Sequence, residues 1–232
     1  SRMSKRHGAT SISDYRQMGF LSEALVNYIS LLVWAPADNK EMMPLGEIVE
    51  EFTLERVGKT GAVFDINKLT WMNGEYIRTK DIQGLIALTS PMLQAKELDI
   101  SDKTRLIEAV ELFRPRAKTL EELADSAAFF FLDKVEYDEE AVKSVLEKDG
   151  VKNKLKVLIE KFSALETFDL QNIENCVRNL AADLNIKAAD LIHPIRVAVT
   201  GRKVGASLFE TVILIGKEKT IERLKTALNK AK

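Results

Sequence analysis

Ile173-Glu174-Asn175-Cys176-Val177-Arg178-Asn179-Leu180-Ala181-Ala182-Asp183-Leu184 decides the fold class. Ile173, Cys176, Val177, Leu180 and Leu184 recur at steps of three and four, which lines one face of a helix with apolar side chains. The same period runs outward from this stretch in both directions. Upstream, Leu155, Leu158, Ile159 and Phe162 mark one helix, and Val142, Val145 and Leu146 a short one stopped at Gly150. Downstream, Ser207 with Glu210 has the form of a capping box for a helix ending at Gly216, and Ile221, Leu224 and Leu228 line the last helix.

Toward the N-terminus, Leu21, Leu25, Tyr28 and Leu32 follow Ser22, a candidate N-cap, and Leu45, Ile48, Val49 and Phe52 follow Pro44. Asp65 caps a helix that is expected to stop near Asn73-Gly74, since that pair is a C-terminal signal. Glu75–Thr79 is then the best short extended candidate. Thr79 or Asp81 opens the next helix, with Pro91 as its expected end. Leu106, Ile107, Val110 and Phe113 form a stripe stopped by Pro115, and Thr119 with Glu122 forms a second capping box. Residues 133–140 are acidic and read as a linker or a helix start. No alternating strand pattern and no repeat stands out. The expected fold is mainly α, and because aromatics are only 7% of residues the cores are expected to be aliphatic.

With 232 residues, 46% of them hydrophobic, the chain is long enough for real cores, and 30% charged residues fit a globular protein rather than a disordered one. No apolar run approaches the roughly 20 residues a membrane span needs. A lone cysteine, Cys176, makes no internal disulfide and suggests a reducing compartment, so the expected location is cytoplasmic. The net charge of -1 conceals a gradient: residues 1–10 carry +3, residues 196–232 carry +6, and the segment between carries -10. Basic ends permit local contact with a polyanion, although solvated helix faces would look the same.

No self-contained active site is evident. A Gly-rich phosphate loop, metal-ligand spacing and a nucleophile elbow are all missing, so no metal is expected. Cys176 reads as a buried structural thiol on an apolar stripe. His193 before Pro194 reads as a packing or capping residue at a helix boundary. Trp34 and Trp71 read as core. The element with chemical character is Met3-Ser4-Lys5-Arg6-His7-Gly8-Ala9, where adjacent cations beside a serine and a glycine suit a loop that approaches phosphates.

That segment resembles the KMSKS signature of class I aminoacyl-tRNA synthetases, in the SKRHG form of bacterial glutamyl-tRNA synthetases. The residues after it are similar to the same family. Residues 15–28, Tyr-Arg-Gln-Met-Gly-Phe-Leu-Ser-Glu-Ala-Leu-Val-Asn-Tyr, look like its helix after the signature. Phe64-Asp65, Lys68-Leu69 and residues 71–78, Trp-Met-Asn-Gly-Glu-Tyr-Ile-Arg, resemble another of its blocks. Residues 114–120, Arg-Pro-Arg-Ala-Lys-Thr-Leu, resemble the beginning of its anticodon-binding region. His193-Pro194-Ile195-Arg196, Thr200-Gly201, Leu208-Phe209-Glu210 and Gly216-Lys217-Glu218 look like its C-terminal block. The likeness is in order along essentially the whole chain. Glutaminyl enzymes share the signature but end in β-barrels, which this pattern does not suggest.

The resemblance implies a mainly α fold in three parts: a stem-contact region over residues 1–80, and an all-α anticodon-binding helix cage of two subdomains, 81–140 and 141–232. The Rossmann-type catalytic domain lies upstream of the signature in the family and is expected to be absent here. It implies glutamate–tRNA ligase chemistry in the full-length protein, in which ATP with Mg2+ converts L-glutamate to glutamyl-adenylate and tRNA(Glu) accepts the glutamyl group. Lys5 matches the lysine that stabilises charge on the ATP phosphates, with Ser4 beside it in the nucleotide site. This chain alone is expected to be inactive, to hold no cofactor and to be monomeric. Arg116 matches the reader of the wobble-side anticodon base, associated with preference for glutamate over glutamine tRNA. Arg196 matches a second anticodon contact, and Arg178, Gly205 and Leu208 are further candidates; each arginine is otherwise a surface ion pair. Arg2 stands where the family usually has the first signature lysine. Ala206-Ser207 stands where it often has Pro-Gly, which bears on the loop shape at Gly205. The competing expectation is a stand-alone helical module that binds tRNA or a protein without ligase activity.

Overall fold

A computed structural model describes residues 11–58, 61, 63–132 and 134–232. In chain order its helices are α1 (Ile12–Gln17), α2 (Ser22–Val33), α3 (Leu45–Glu51), α4 (Ile66–Thr79), α5 (Ile82–Gln94), α6 (Lys103–Phe113), α7 (Leu120–Ala128), α8 (Glu139–Ala141), α9 (Val151–Ala164), α10 (Leu170–Asp183), α11 (Ala189–Thr200), α12 (Leu208–Ile215) and α13 (Lys217–Leu228). Leu54–Arg56 is a 3-10 turn, and α8 runs directly into a π-helical turn, Val142–Leu146. The mainly α expectation holds: among the described residues extended pairing is limited to an isolated antiparallel bridge between Trp34 and Val57. The chain packs as two compact units. Unit 1 holds the described residues up to Ile100 together with Phe113–Ser126; unit 2 holds Ser101–Leu112 and Ala127–Lys232.

The described part of unit 1 begins with a reciprocal cap: Asp14 N–H donates to Ser11 Oγ at 3.1 Å and Ser11 N–H to Asp14 Oδ2 at 2.9 Å. The family-like segment 15–28 is not one helix. Gly19, at φ +78°, breaks it between α1 and α2. The core beneath is more aromatic than composition suggested. Tyr15, Phe20 and Tyr28 cluster with Leu25, Leu69 and Met72, and Phe64 packs edge-on against Tyr28 with ring centres 5.1 Å apart. Sparse aromatics are thus concentrated, each burying more area than an aliphatic would. Trp34 is buried as expected, but Trp71 is 41% exposed on the outer face of α4. In α3 only Ile48 of the apolar set is buried; Leu45 and Val49, with Phe52 just beyond the helix, face outward. A helix of seven residues that packs along one line cannot bury a set this wide.

Two expected stops are not stops. Asp65 caps α4 by accepting from Asn67 N–H at 2.9 Å, but the helix passes through Asn73-Gly74 to Thr79, so 75–79 is helical rather than extended. The pair lies on the apolar side with Leu69, Met72 and Ile77, all fully buried, and Asn73 is fully buried with them. Asn73 finds its partners outside the helix, and the 117–118 backbone packs beside Gly74 at ordinary contact distance, 3.5 Å from a Cβ there to Ala117 O and 3.6 Å to Lys118 Cα. Similarly Asp81 caps α5, accepting from Gly84 N–H at 2.6 Å, and Pro91 lies inside it. The last turn survives because Leu93 is fully buried and Ala95 N–H donates to Pro91 O at 3.0 Å. Tertiary packing here outweighs the proline penalty of about 3 kcal/mol.

Unit 2 is largely aliphatic. Leu146, Leu155, Leu158, Ile173, Val177, Leu191, Val197, Val199 and Leu224 are fully buried. His193-Pro194 is interior to α11 rather than at its boundary, because Leu191, Pro194, Ile195, Val197, Ala198 and Val199 are all buried there. Cys176 is half-buried, and burial pushes its thiol pKa up, against nucleophilic use. Thr119 does cap α7, accepting from Glu122 N–H at 3.1 Å, while Glu122 reaches back to Lys118 N–H at 2.9 Å. The Ser207–Glu210 box does not form; Ser207 contributes its carbonyl, which accepts from Thr211 N–H at 3.0 Å and Thr211 Oγ1 at 2.7 Å.

Tyr137 gives unit 2 a pH signature. Its hydroxyl donates to Ala198 O at 3.0 Å, and burial pushes its pKa from 10.0 to about 12, with Arg223 pulling weakly the other way. The fold therefore favours the neutral phenol. Its contribution is complete below pH 10, the unfolded value, and is lost as pH rises through about 12. Urea midpoints measured across that range should fall more steeply for the wild type than for Tyr137→Phe; parallel profiles would refute the assignment.

Candidate nucleic-acid interface

Ser4 and Lys5 lie outside the described residues. The other candidates fall in two places, one in each unit.

In unit 1, Arg116 is exposed on the short loop between α6 and α7. The loop starts as a turn, with Arg116 N–H donating to Phe113 O at 3.0 Å. The far half of α4 holds it. Arg78 Nη1 donates to Pro115 O at 3.3 Å, and Asn73 Nδ2 donates to Lys118 O at 2.6 Å. Arg114 Nη1 donates to Lys80 O at 3.3 Å just beyond the helix. Asn73 also accepts from Leu21 N–H at 2.8 Å and donates to Gly19 O at 3.4 Å, while Leu120 N–H donates to Gly19 O at 2.9 Å. Arg116 thus projects from a loop bonded to a helix on one side and to residues 19–21 on the other. A guanidinium so carried can meet a base edge or a phosphate.

In unit 2, α11, the following loop and α12 bring Arg196, Gly205 and Leu208 together. Arg196 is half-buried, and its Nη1 donates across the loop to Ala206 O at 2.7 Å. Gly205 is exposed, and a Cβ there would sit 3.4 Å from Arg196 Nη1. Leu208 is 4% exposed, so its side chain packs inward. Thr200 Oγ1 accepts from Arg202 N–H at 3.2 Å and donates to Arg196 O at 2.8 Å, fixing the loop's base. Beside it, Glu136, Asp138 and Glu140 face Arg202 and Lys203 across an open cleft, with Lys203 paired to Glu140 at 2.5 Å. Arg178 stands apart on α10, paired with Glu174 at 2.5 Å one turn away. Such exposed pairs contribute at most about 1 kcal/mol, so Glu174 would not hold Arg178 against a phosphate.

Sequence reading missed Asn73 and Arg78. The available signal was an asparagine in register with Leu69, Met72 and Ile77, a polar group on an apolar face that must find partners elsewhere.

Two family models cover this framework. Residues 1–71 match the catalytic domain of class I tRNA synthetases (E and Q), and residues 84–228 match an anticodon-binding domain. The second match spans more than half of the sequence, and the chain belongs to the anticodon-binding-domain family. Its relatives are glutamate–tRNA ligases. It is 41% identical to glutamate–tRNA ligase 2 of Thermoanaerobacter pseudethanolicus over 99% of this chain and 48% of that protein. It is 40% identical to the glutamate–tRNA ligase of Moorella thermoacetica over 98% of this chain and 47% of that protein. The crystal structure of a glutamate tRNA ligase from Elizabethkingia meningosepticum, in complex with its amino acid, superposes with TM-score 0.85 at 28% identity, over 99% of this chain and 45% of that one. The chain spans about half the length of the curated relatives it matches. The resemblance read from the sequence is borne out.

Proposed function

We propose that this chain is the tRNA-reading part of a glutamate–tRNA ligase, and that Arg116 reads the wobble-side base of the anticodon. The observation that carries this is the loop of Arg116, an exposed guanidinium on a backbone bonded from both sides, in a chain co-linear with glutamate–tRNA ligases. Preorganisation of that kind supports base discrimination, because the backbone that carries the arginine need not be ordered when the base arrives. Arg196 is the second contact, with Gly205 leaving room beside it. The packing of Leu208 supports a role in shaping the loop. Arg178 would exchange Glu174 for a phosphate.

The functional division runs as residues 1–80 for the stem-contact part and 81–140 and 141–232 for the two anticodon-binding parts. In the whole protein, tRNA(Glu), L-glutamate and ATP are the substrates, with Ser4 and Lys5 at the nucleotide phosphates, in a cytoplasmic monomer. Among the described residues no group of three or more His, Cys, Asp or Glu suits a metal. They do not fit as holders of Mg2+, which would arrive with ATP. No described helix is long and apolar enough to cross a membrane.

Binding to glutamate tRNA across a salt series, with glutamine tRNA as control, tests the reading. Affinity should fall steeply with salt as phosphate contacts are screened. Arg116→Ala should erode the preference for glutamate tRNA by about 1–3 kcal/mol. Equal binding of both tRNAs by the wild type would reject it. A second reading, a helical module that docks on protein, is favoured by the apolar side chains exposed along α2 and near α3, namely Val26, Ile29, Val33, Val49 and Phe52. It predicts no tRNA preference in the same assay.

A further inference from the structure

The geometry points to Asn73 as a positioning residue for anticodon discrimination: its buried carboxamide registers the Arg116 loop against residues 19–21. The inference rests on the reading of Arg116 proposed above and goes beyond it to the group that sets the arginine's place.

Asn73 is fully buried, and its hydrogen-bonding groups serve three backbone groups in two segments, residues 19–21 and Lys118. Oδ1 takes Leu21 N–H at 2.8 Å, and Nδ2 gives to Lys118 O at 2.6 Å and to Gly19 O at 3.4 Å. No other side-chain type of this size supplies one acceptor and two donors in one plane. Gly19 O is itself shared, since Leu120 N–H donates to it at 2.9 Å. The carbonyl at Lys118 lies two residues from Arg116, and Leu120 begins α7. One end of that short stretch is therefore held by Asn73 and the other by Gly19, in the chain between α1 and α2. Arg78 bonds Pro115 O on the other side of Arg116. An arginine aimed at a base loses selectivity when its backbone shifts by about an ångström, because bidentate geometry is narrow.

Asn73→Asp keeps the acceptor and the shape but loses both donors and sets a carboxylate against Lys118 O. A loss of stability alone would not establish positioning. Asn27 supplies the control: it is equally buried in unit 1, and its Oδ1 accepts from Met43 N–H at 2.9 Å and Tyr76 Oη at 2.9 Å, with no bond to the Arg116 loop. Arg78→Met removes a bond to the same loop, together with the ion pair to Glu75, from a side chain that is 33% exposed, a milder change than one at a fully buried residue.

The experiment measures thermal midpoints and the ratio of glutamate- to glutamine-tRNA affinity for Asn73→Asp, Arg78→Met, Asn27→Ala, Arg116→Ala and the double variant Asn73→Asp/Arg116→Ala. The expected result is a ratio lowered on the order of tenfold by Arg116→Ala and by Asn73→Asp, less by Arg78→Met, and not at all by Asn27→Ala, whatever its midpoint. Adding Asn73→Asp to Arg116→Ala should change the ratio no further, because its effect runs through that arginine. If Asn73→Asp does not fold, Arg78→Met decides. An unchanged ratio in the deciding variant, or a ratio that falls equally in Asn27→Ala, overturns the positioning role while the Arg116 reading stands. An unchanged ratio in Arg116→Ala itself removes that reading, and the positioning role falls with it.

Discussion

Gly201→Ala is expected to destabilise unit 2 by at least about 3 kcal/mol, far more than the matched change Gly150→Ala. Both glycines adopt left-handed backbone, at φ +74° and +77°. For alanine that conformation costs on the order of 1 kcal/mol. The two differ in surroundings. A Cβ on Gly150 meets nothing within 4 Å, whereas one on Gly201 would lie 1.9 Å from Glu136 O and 2.8 Å from Glu136 C. That contact is backbone on both sides and is pinned, since Asp138 N–H donates to Gly201 O at 3.0 Å and Gly201 N–H donates to Val197 O at 2.8 Å. Relief requires that the segment before α8 move away, which breaks the first bond. Urea denaturation of the two variants separates backbone strain from collision. Equal losses would mean that 136–138 yields freely and that the close approach is not a constraint. Because Gly201 opens the loop closed by Arg196 and Ala206, the same variant should weaken tRNA binding.

The parts of the fold that were legible in the sequence are those set by local rules. Asp65 and Asp81 accept from first-turn N–H groups as their positions suggest, and of the stripe Ile173, Val177 and Leu180 are buried and Cys176 half-buried, while Leu184, just beyond α10, is exposed. What was not legible depends on partners distant along the chain. Asn73-Gly74 reads as a stop because an isolated helix gains nothing from continuing past it; residues 19–21 and 117–118 supply the reason to continue. Pro91 and Pro194 lie within helices because their neighbours are buried, a fact of packing rather than of spacing.

The candidate site divides in the same way. Arg116 and Arg196 were named by their place in family blocks, and the structure puts the first in an exposed, doubly bonded loop and the second across a loop it clamps. The groups that hold Arg116 lay in another block, 71–78, and their connection to it exists only in three dimensions. Leu208 shows the converse. A family position was legible, but its burial was not, since the pattern Leu-Phe-Glu does not say which member faces inward.

Arg223→Met should cost about 3 kcal/mol or more through lost hydrogen bonds, although it removes one of the cations that make the C-terminal segment basic. Arg223 is 4% exposed. Its Nη1 donates to Val199 O at 2.8 Å, and its Nη2 to Phe129 O and Leu132 O, both at 3.1 Å. The guanidinium lies 5.8 Å from the Phe129 ring centre. Burial, then the nearby Arg105, lowers its pKa, so the fold holds this charge against its preference for water. Methionine fills a similar volume but takes from those carbonyls the donors that Arg223 supplies, each loss costing about 1–3 kcal/mol. Arg223→Lys keeps one nitrogen and should recover part of the loss. If the urea midpoint of Arg223→Met matches the wild type, water must reach these carbonyls and the residue is not a structural tie. The variant also corrects the charge argument drawn from sequence. A cation that contacts RNA phosphates takes about one unit of salt slope with it when removed. Arg223 is occupied by carbonyls, so Arg223→Met, measured where it remains folded, should bind tRNA with an unchanged slope. A reduced slope would place the guanidinium at the RNA and require unit 2 to open when it binds.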